Sequence, residues 1–572
     1  MSNEMLSADL QGSNPKLQSV RYVNVLPEGK QGDYTQNNRV DFQPDPITNP
    51  YFDGAQSYLN INVENTSTFN VGNSGIAPAN VAATPMCFPA HIGVNAIFNR
   101  ALLRAKENSQ VIEDIEAYNM LSGIKDAYSH DSDVFQALSR ITGVSARTCN
   151  PMNQTIDNLG VNYFLPNGAS TPLTITGGAT SVNATFCVPV QTGLFSAFGK
   201  DEHHVVPNLD VPLHLQLFLE RNNVAMQVMY HKFFKATTVN GVAVTEIYAF
   251  NPLDEIEMVA TDDKLEVPRE VCDPALTDSD EVPYNLNMCV WRVGQLVTNG
   301  TDTSQITDVS RVQTGDVSNI VLTLDAAFSS GDGNTNVTLA PITRGYKVNK
   351  IELKLLLTIP DPPTMQMIRS QMAQGISFTS VQLYKQSTSA QLTNAVIDIP
   401  EALTRAGSIL AVPCQQNSLD ALDVDNSYMY CRPDALTSDA NTNQTGYQWQ
   451  IQNVLLPNLA VETNTKTNAN SDNSIFFNQQ VMALRHLINV KALADSPRVR
   501  KTEDVDLELP FFYPIALAPR GVSFNLIDSA PQLRLSNTGA TTPADITAKL
   551  FYIFIVHTRI LRASDGGAQI EF

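Results

Sequence analysis

The chain has 572 residues, of which 37 are basic and 57 acidic, so its formal net charge at pH 7 is −20. Only 16% of the residues are charged while 43% are hydrophobic, which excludes a chain that is disordered throughout, because such chains combine low hydrophobicity with high charge density. The excess of negative charge disfavours direct binding to nucleic acid or anionic lipid. The low charge density indicates instead that much of the surface is hidden in contacts with partners.

The cysteines, the first residues and the apolar segments indicate where the protein is made. Seven cysteines without a CxxC pair predict reduced thiols in an intracellular compartment. The start, MSNEMLSADL, has neither the basic nor the apolar region of a signal peptide. The apolar stretch at 550–556 is much shorter than the about 20 residues of a membrane helix. We therefore expect synthesis in the cytosol and no membrane insertion.

The chain begins with a polar segment and continues as predominantly β-structure. Residues 1–44 show no helical or strand period, which predicts an N-terminal arm that orders on a partner or on the body of the protein. From residue 56 onward, short segments alternate apolar and polar residues and are separated by turn-forming residues, which predicts strands of antiparallel sheets. The predicted strands are 56–65, 171–177, 184–190, 211–220, 319–325, 350–359, 380–386, 394–400, 532–537 and 549–558.

Two segments have the period of an amphipathic helix. Residues 109–123 place apolar side chains on one face between a possible N-cap, Ser109, and a possible stop, Gly123. Residues 364–375 do the same, with Thr364 as the cap and Gly375 at the end. Two helices are too few for a sheet of alternating strands and helices, so the sequence predicts a mainly β protein.

The order of strand types occurs twice along the chain, which predicts two tandem β-sandwiches. In each half, an apolar strand that contains proline precedes a leucine-rich strand, and a long apolar strand closes the set. The proline-rich segment 359–364 lies between the halves. We therefore expect an N-terminal arm at 1–44, a first sandwich at 45–365 with an inserted β-rich lobe at about 231–345, and a second sandwich with a C-terminal tail at 366–572.

Three segments resemble a known family, the double jelly-roll major capsid proteins, and more narrowly those of Polinton-like viruses and virophages. The segments are FPAHIGVNAIFNRALLRAKENSQVIEDIEAYNML (88–121), VPLHLQLFLERN (211–222) and KLFYIFIVHTRILR (549–562). The resemblance implies two jelly rolls that stand normal to a viral shell, and a homotrimeric capsomer of pseudo-sixfold outline in an icosahedral capsid. It also implies contacts with neighbouring capsomers, pentons and minor capsid or cement proteins, a place in the virion after assembly inside the host cell, and no cofactor or enzymatic activity.

Several motifs resemble functional sites, and each favours a plain structural explanation. GLFSAFGKD (193–201) has five residues between its glycines where a phosphate-binding loop has four, and Asp201 follows Lys200 where a hydroxyl residue is needed. This favours a turn. The basic cluster at 498–501 is followed at once by two acidic residues, which weakens binding to nucleic acid.

The candidate metal ligands have unsuitable spacings. His203 and His204, with His214 further on, do not match a helical zinc motif, and neighbouring residues of a strand point to opposite faces. Asp278, Asp280 and Glu281 lack the ligand spacing and the central glycine of an EF-hand. The sequence therefore predicts no metal, cofactor or catalytic residue. Its Asn-X-Ser/Thr triplets, such as the one at Asn65, arise by chance in a chain this rich in Asn and Thr.

The C-terminal tail has two possible interpretations, and the function of the whole protein has two alternatives. The Gly-Gly within 564–572 is typical of sites that some viral maturation proteases cleave, whereas a plain flexible terminus is the simpler interpretation.

A multi-sandwich adhesin or carbohydrate-binding protein is the first alternative function, and it would be favoured by exposed aromatics on one sheet face. A β-sandwich glycosidase is the second, and it would need a pair of carboxylates in a cleft.

Overall fold

The computed structural model describes residues 17–69, 86–88, 92–129, 141–143, 182–196, 205–228, 231–239, 242–250, 256–267, 291, 294–314, 317–388, 394–415, 444–464, 474–490, 512–519, 522–527, 530–537, 549–564 and 567–571. Most of these residues belong to strands, because alternating side chains can be buried on one face of a sheet and left in water on the other. In the third strand, for example, Leu59, Ile61 and Val63 are buried while the side chains between them are only half-buried. The prediction of a mainly β fold is confirmed.

The first sandwich consists of two facing antiparallel sheets. One has the order β1-β21-β3-β8, with β9 also paired to β3, and the other has the order β2-β10-β6-β7. The strands are β1 (Leu17–Val25), β2 (Arg39–Phe42), β3 (Phe52–Asn65), β6 (Phe98–Ala105), β7 (Val111–Glu116), β8 (Val182–Pro189), β9 (Val205–Val206), β10 (Leu213–Leu219) and β21 (Tyr346–Pro360).

The second sandwich again has two sheets. Their orders are β22-β29-β24-β27, with β30 also paired to β29, and β23-β28-β25-β26. The strands are β22 (Ile376–Ser387), β23 (Asn394–Asp398), β24 (Ala406–Gln415), β25 (Gln444–Ile451), β26 (Val454–Asn464), β27 (Tyr513–Ala516), β28 (Gln532–Asn537), β29 (Lys549–Ser564) and β30 (Gly567–Glu571).

Both sandwiches are jelly rolls with the same topology. When the eight main strands of each are numbered along the chain, both contain one sheet in the order 1-8-3-6 and one in the order 2-7-4-5. Eight strands in two such sheets, wound as two Greek keys, define the jelly roll. The chain is therefore a double jelly roll, as the repeated order of strand types predicted.

An inserted β-structure separates strands seven and eight of the first jelly roll. Its largest part is a closed barrel in the order β14-β15-β18-β17-β16-β19, which lies within the predicted lobe at 231–345. A hairpin, β12 (His231–Val239) with β13 (Val242–Phe250), precedes the barrel. Short bridges join β4 (Thr68–Phe69) to β20 (Ile342–Thr343) and β5 (Met86–Cys87) to β11 (Gln227–Val228). The barrel strands are β14 (Ile256–Thr261), β15 (Lys264–Val267), β16 (Leu296–Thr298), β17 (Thr303–Thr314), β18 (Val317–Leu324) and β19 (Gly333–Leu339).

The helices within the described residues are short and lie between strands. They are a 3-10 helix at Gly93–Ile97, α1 (Tyr118–Ser129), α2 (Gly193–Ser196), α3 (Asn222–Ala225), α4 (Pro362–Gln374) and α5 (Ser474–Leu484). The predicted helix at 364–375 corresponds to α4. Its N-cap is Asp361, whose side chain accepts a hydrogen bond from the backbone N–H of Thr364, so the cap lies three residues before the predicted one. Two prolines fill its first turn, where no N–H is needed.

The predicted helix at 109–123 is wrong. Val111–Glu116 is strand β7, which pairs with β6, and the helix begins only at Tyr118. Ser109 and Ala117 both have positive φ, of 55° and 49°, so the backbone turns away from helical geometry on either side of the strand. The buried residues of β7 are Ile112, Glu113 and Ile115, and a register shift between Val111 and Glu113 interrupts the regular alternation of the strand.

Part of the predicted N-terminal arm is built into the first jelly roll. β1 pairs along its length with β21, and β2 pairs with β10. Residues 1–16 lie outside the described residues. The chain before residue 45 therefore supplies strands one and two of the sandwich.

Candidate assembly surfaces

The two jelly rolls are joined through a strand that is buried on both faces. In β29, Phe551, Ile553 and Ile555 belong to the core of the second jelly roll. Phe554 and Val556, between and beside them, belong to the apolar cluster that is continuous with the first jelly roll. An alternating pattern with both sets apolar is the property of a strand covered on both sides. The second jelly roll is thus packed onto the first.

Polar contacts fix the orientation of the two jelly rolls. On β29, Arg559 donates a hydrogen bond of 2.7 Å to the backbone oxygen of Ile112 on β7. In the turn before β7, Asn108 donates a bond of the same length to the backbone oxygen of Ala568 on β30. Charge-assisted and buried hydrogen bonds are sensitive to geometry, so these contacts hold one register between the jelly rolls.

Glu113 binds the backbone at the start of the rejected phosphate loop. Its carboxylate oxygens accept hydrogen bonds of 2.9 and 2.8 Å from the backbone N–H groups of Gly193 and Leu194, at the start of α2. Burial raises the pKa of Glu113, while these bonds and the charge of Arg559 act in the opposite direction. Residues 197–201 of the motif lie outside the described residues. An internal carboxylate satisfies the N–H groups of the described part.

Gly193 is required by the contact between the jelly rolls. A Cβ atom at this position would lie 1.6 Å from the backbone oxygen of Thr379 on β22. No side chain can be accommodated at that distance without movement of the backbone. The glycine at this position therefore reflects the close approach of another backbone segment.

The C-terminal segment is folded, so the interpretation as a plain flexible terminus is wrong. β30 pairs antiparallel with β29, and Ser564 is opposite Gly567. Arg562 forms an ion pair of 2.8 Å with Glu571. The protease-site hypothesis for the Gly-Gly pair remains a prediction.

The candidate metal ligands are not brought together in the part of the chain that the structure describes. His214, on β10, has Nε2 3.1 Å from a carboxylate oxygen of Asp41 on β2, which is an ordinary cross-strand contact. His203, His204, the acidic group at 278–281 and the basic cluster at 498–501 lie outside the described residues. Among the described residues, no three His, Cys, Asp or Glu side chains are placed to hold a metal ion. None of the described helices combines the length and apolar character that crossing a membrane requires.

Two surfaces expose apolar side chains that the sequence patterns did not single out. On β1, Val20 and Tyr22 are 51% and 55% exposed, and the Tyr22 ring lies edge-on to that of Tyr58, with centroids 6.0 Å apart. On the edge strand β26, Val454 and Leu459 are 53% and 82% exposed. Exposed apolar residues on edge strands are typical of surfaces that bind other chains.

Sequence reasoning also missed the buried ionisable groups at the joint between the jelly rolls. Glu113, His557 and Arg559 are at most 5% exposed. The available signal was a charged or polar residue among apolar ones in a predicted strand, as His557 and Arg559 are in FIVHTRIL. Such residues are rarely buried without a partner, so they mark positions where a strand contacts another unit.

The similarity of the chain to known proteins lies in its three-dimensional structure. No model of a known protein family matches the chain, and no curated protein matches it. The Faustovirus major capsid protein is similar at a TM-score of 0.47 and 9% identity, over 96% of this chain and 91% of that protein. The structure of the Sputnik virophage is similar at 0.45 and 11% identity, over 97% and 89% of the two chains. The mavirus major capsid protein is similar at 0.35 and 8% identity, over 98% and 93%. The chain thus resembles major capsid proteins of viruses and virophages over nearly its whole length.

Proposed function

We propose that the protein is a structural major capsid protein that forms homotrimeric capsomers of pseudo-hexameric outline, which tile an icosahedral viral shell. The observation that carries the proposal is the exact repetition of the strand orders 1-8-3-6 and 2-7-4-5 in two jelly rolls that are packed onto each other. Three copies of such a subunit present six similar walls around one axis, and six-sided units fill a surface without gaps.

The composition and the surface chemistry support this proposal. Only 16% of the residues are charged, and the cores of protein–protein interfaces are depleted of charged residues. Jelly rolls also protect most of their sheet edges by closing two sheets over one core, so that the remaining edges and the loops at the ends are available for contacts. The net charge of −20 supports a shell layer that does not itself hold nucleic acid.

The partners follow from the same proposal. The protein binds copies of itself in the trimer, neighbouring capsomers, pentons and minor capsid or cement proteins. It assembles inside the host cell and resides in the virion. Residues 1–16 precede β1 and are polar, and we propose that they contact a neighbouring subunit or a minor capsid protein. The proposed role is structural, without catalysis or a cofactor.

Light scattering on the purified full-length chain tests the proposal. A subunit of 62.6 kDa should give a stable species of three copies, about 188 kDa. Deleting residues 1–16 should leave this trimer intact and reduce shell formation in cells that co-express the partner proteins. A chain that remains monomeric at all concentrations contradicts the proposed function, and normal shells from the truncated chain contradict the role of the arm.

A second candidate function is carbohydrate binding, which one observation favours. Tyr22 and Tyr58 form an aromatic pair on an outer sheet face, with Asn24 and Asn60 beside them. Aromatic rings and amides are the groups that bind sugar rings in many β-sandwich proteins, because the ring stacks and the amides form hydrogen bonds. A glycan array with the wild type and Tyr22→Ala tests it. Loss of a specific signal in the variant would support this function.

A further inference from the structure

A buried polar pair lies on β22 and β29 in the second jelly roll. Ser380 is directly opposite His557 in the register of the two strands. Opposite residues of an antiparallel pair project from the same face of the sheet, with Cβ atoms about 4.5–5.5 Å apart. Ser380 is fully buried and His557 is 2% exposed. The two side chains are therefore neighbours in the interior, where bulk water does not reach them.

The hydrogen-bonding groups of this pair are not satisfied by other side chains or by the backbone. Ser380 Oγ and both ring nitrogens of His557 have no hydrogen-bond partner among the described residues. A buried polar group without a partner costs free energy, and native proteins contain few such groups. Three polar atoms of two facing residues therefore indicate a shared partner that is not a residue of the chain.

The chemistry of the pair selects a neutral partner that can both donate and accept hydrogen bonds. Burial lowers the pKa of His557 to about 3, and the positive charge of Arg559 acts in the same direction. The imidazole is therefore neutral at physiological pH, with one N–H donor and one acceptor nitrogen, and the Ser380 hydroxyl also donates and accepts. A pair without net charge fits a water molecule and does not fit an ion.

The small residues on either side of the imidazole leave room beside it. His557 is opposite Ala406 on β24, so the neighbours across both strands are a hydroxymethyl and a methyl group. One rung further along the same face, Ile555 lies between Gln382 and Ile409, which are larger. A polar gap of about one probe sphere is enough to hold a water molecule. The rung of His557 is the place on this face where the side chains fill the least volume.

A polar strip leads from the pair towards the surface. Gln382 lies two residues from Ser380 on the same face of β22 and is half-buried. Its Nε2 donates a hydrogen bond of 2.6 Å to a carboxylate oxygen of Glu401, which is also half-buried. Polar side chains thus continue from the buried rung to partly exposed positions, which gives water a route into the interior.

We propose that an ordered water molecule is bound at this rung and bridges the Ser380 hydroxyl to a ring nitrogen of His557. Buried waters typically make about three hydrogen bonds to polar groups that the protein leaves unsatisfied. The bridge supplies a partner to a group on each strand and so stabilises the pairing of β22 with β29. The inference concerns the interior of one subunit and does not depend on the proposed capsid function.

Ser408 on β24 provides a matched control. It is also fully buried, and its Oγ also has no hydrogen-bond partner among the described residues. Its cross-strand neighbour is Val556, so it projects from the opposite face of the sheet, where Leu410 and Phe554 pack towards the first jelly roll. These neighbours are apolar, and an apolar site does not hold water. Ser408 is therefore a buried hydroxyl without a bridging water.

Urea denaturation of Ser380→Ala and Ser408→Ala at pH 7.5 tests the inference. The reporter is the fluorescence of Trp449, in the core of the second jelly roll, with Trp291 replaced by Phe. Ser380→Ala removes a hydrogen bond, so the folding equilibrium constant should fall about fivefold and the urea midpoint should decrease. Ser408→Ala removes an unpartnered hydroxyl, so its midpoint should be unchanged or higher. An unchanged or higher midpoint in Ser380→Ala, or an equal decrease in both variants, overturns the inference.

Electron microscopy of the full-length chain, at a resolution that shows ordered waters, tests the site directly. The expected result is a density peak at about 2.7–3.2 Å from Ser380 Oγ and from one ring nitrogen of His557. A Ser380 hydroxyl that bonds directly to the ring, or the lack of a peak between the two groups, overturns the inference. Either result leaves the capsid proposal standing, and a chain that is monomeric contradicts the capsid proposal without affecting the water site.

Discussion

Acidification is expected to weaken the second jelly roll through one buried imidazole, that of His557 on β29. His557 is 2% exposed, and its two ring nitrogens have no hydrogen-bond partner among the described residues. Burial lowers the pKa of His557 to about 3, and the positive charge of Arg559 acts in the same direction. The folded state therefore holds the imidazole neutral at a pH at which the unfolded chain is protonated.

The size of the effect follows from this shift of the pKa from its ordinary value of 6.5. Above that value neither state binds the proton, and the stability is unaffected by the group. As the pH falls below 6.5, the unfolded state gains a proton that the folded state does not, so the free energy of unfolding decreases. At 1.36 kcal/mol for each pH unit, the loss at pH 4.5 is at most about 2.7 kcal/mol.

The assay compares the wild type with His557→Leu, a change of similar volume that cannot be protonated. Urea denaturation at pH 7.5 and pH 4.5 can follow the fluorescence of Trp449, which is buried in the second jelly roll, after Trp291 is replaced by Phe in both proteins. The chain has 2 tryptophans, so Trp449 is then the single reporter. The wild type should lose up to about 2.7 kcal/mol more than the variant on acidification. An equal loss in both proteins would refute the reasoning.

Three further predictions concern the joint between the jelly rolls. Gly193→Ala places a Cβ 1.6 Å from the Thr379 oxygen and should lower the free energy of unfolding by about 1–3 kcal/mol or more, measured by urea denaturation. An unchanged urea midpoint contradicts the close packing of Gly193 on Thr379. Phe554→Ala removes a fully buried ring and should destabilise by about 3–5 kcal/mol, whereas a loss below about 1 kcal/mol would show that the ring is not packed in the joint. Asn108→Ala removes the bond to the Ala568 oxygen and should increase amide exchange in β30 with little change in global stability; exchange equal to the wild type would contradict the role of this bond in holding β30 in place.

The strands with one buried face were predictable because apolar and polar residues alternate along them. Leu59, Ile61 and Val63 in β3 alternate with polar residues, and the structure buries them on one face. The order of strand types predicted the repeated sandwich for the same reason. Helix α4 was also predictable, although its capping residue, Asp361, was recognisable only once the two prolines were placed in the first turn.

The joint between the jelly rolls was not predictable, because it depends on residues far apart in the chain. In β7 a register shift between Val111 and Glu113 interrupts the regular alternation, so the apolar residues fall at a helical period, which is why 109–123 was assigned wrongly. The close approach of Gly193 to Thr379 spans 186 positions of the sequence and leaves no local pattern. Ser109 and Ala117, on either side of the strand, have positive φ. Neither is a residue type that is enriched in this conformation, so the sequence does not indicate it.

The central claim is that three copies of this double jelly roll form one six-sided capsomer, and single-particle electron microscopy of the purified chain tests it most directly. The account predicts particles with threefold symmetry and six lobes in top view, one lobe for each jelly roll, with every lobe packed against the next. Particles with two lobes, one for each jelly roll of a solitary chain, or closed assemblies without threefold symmetry would contradict it.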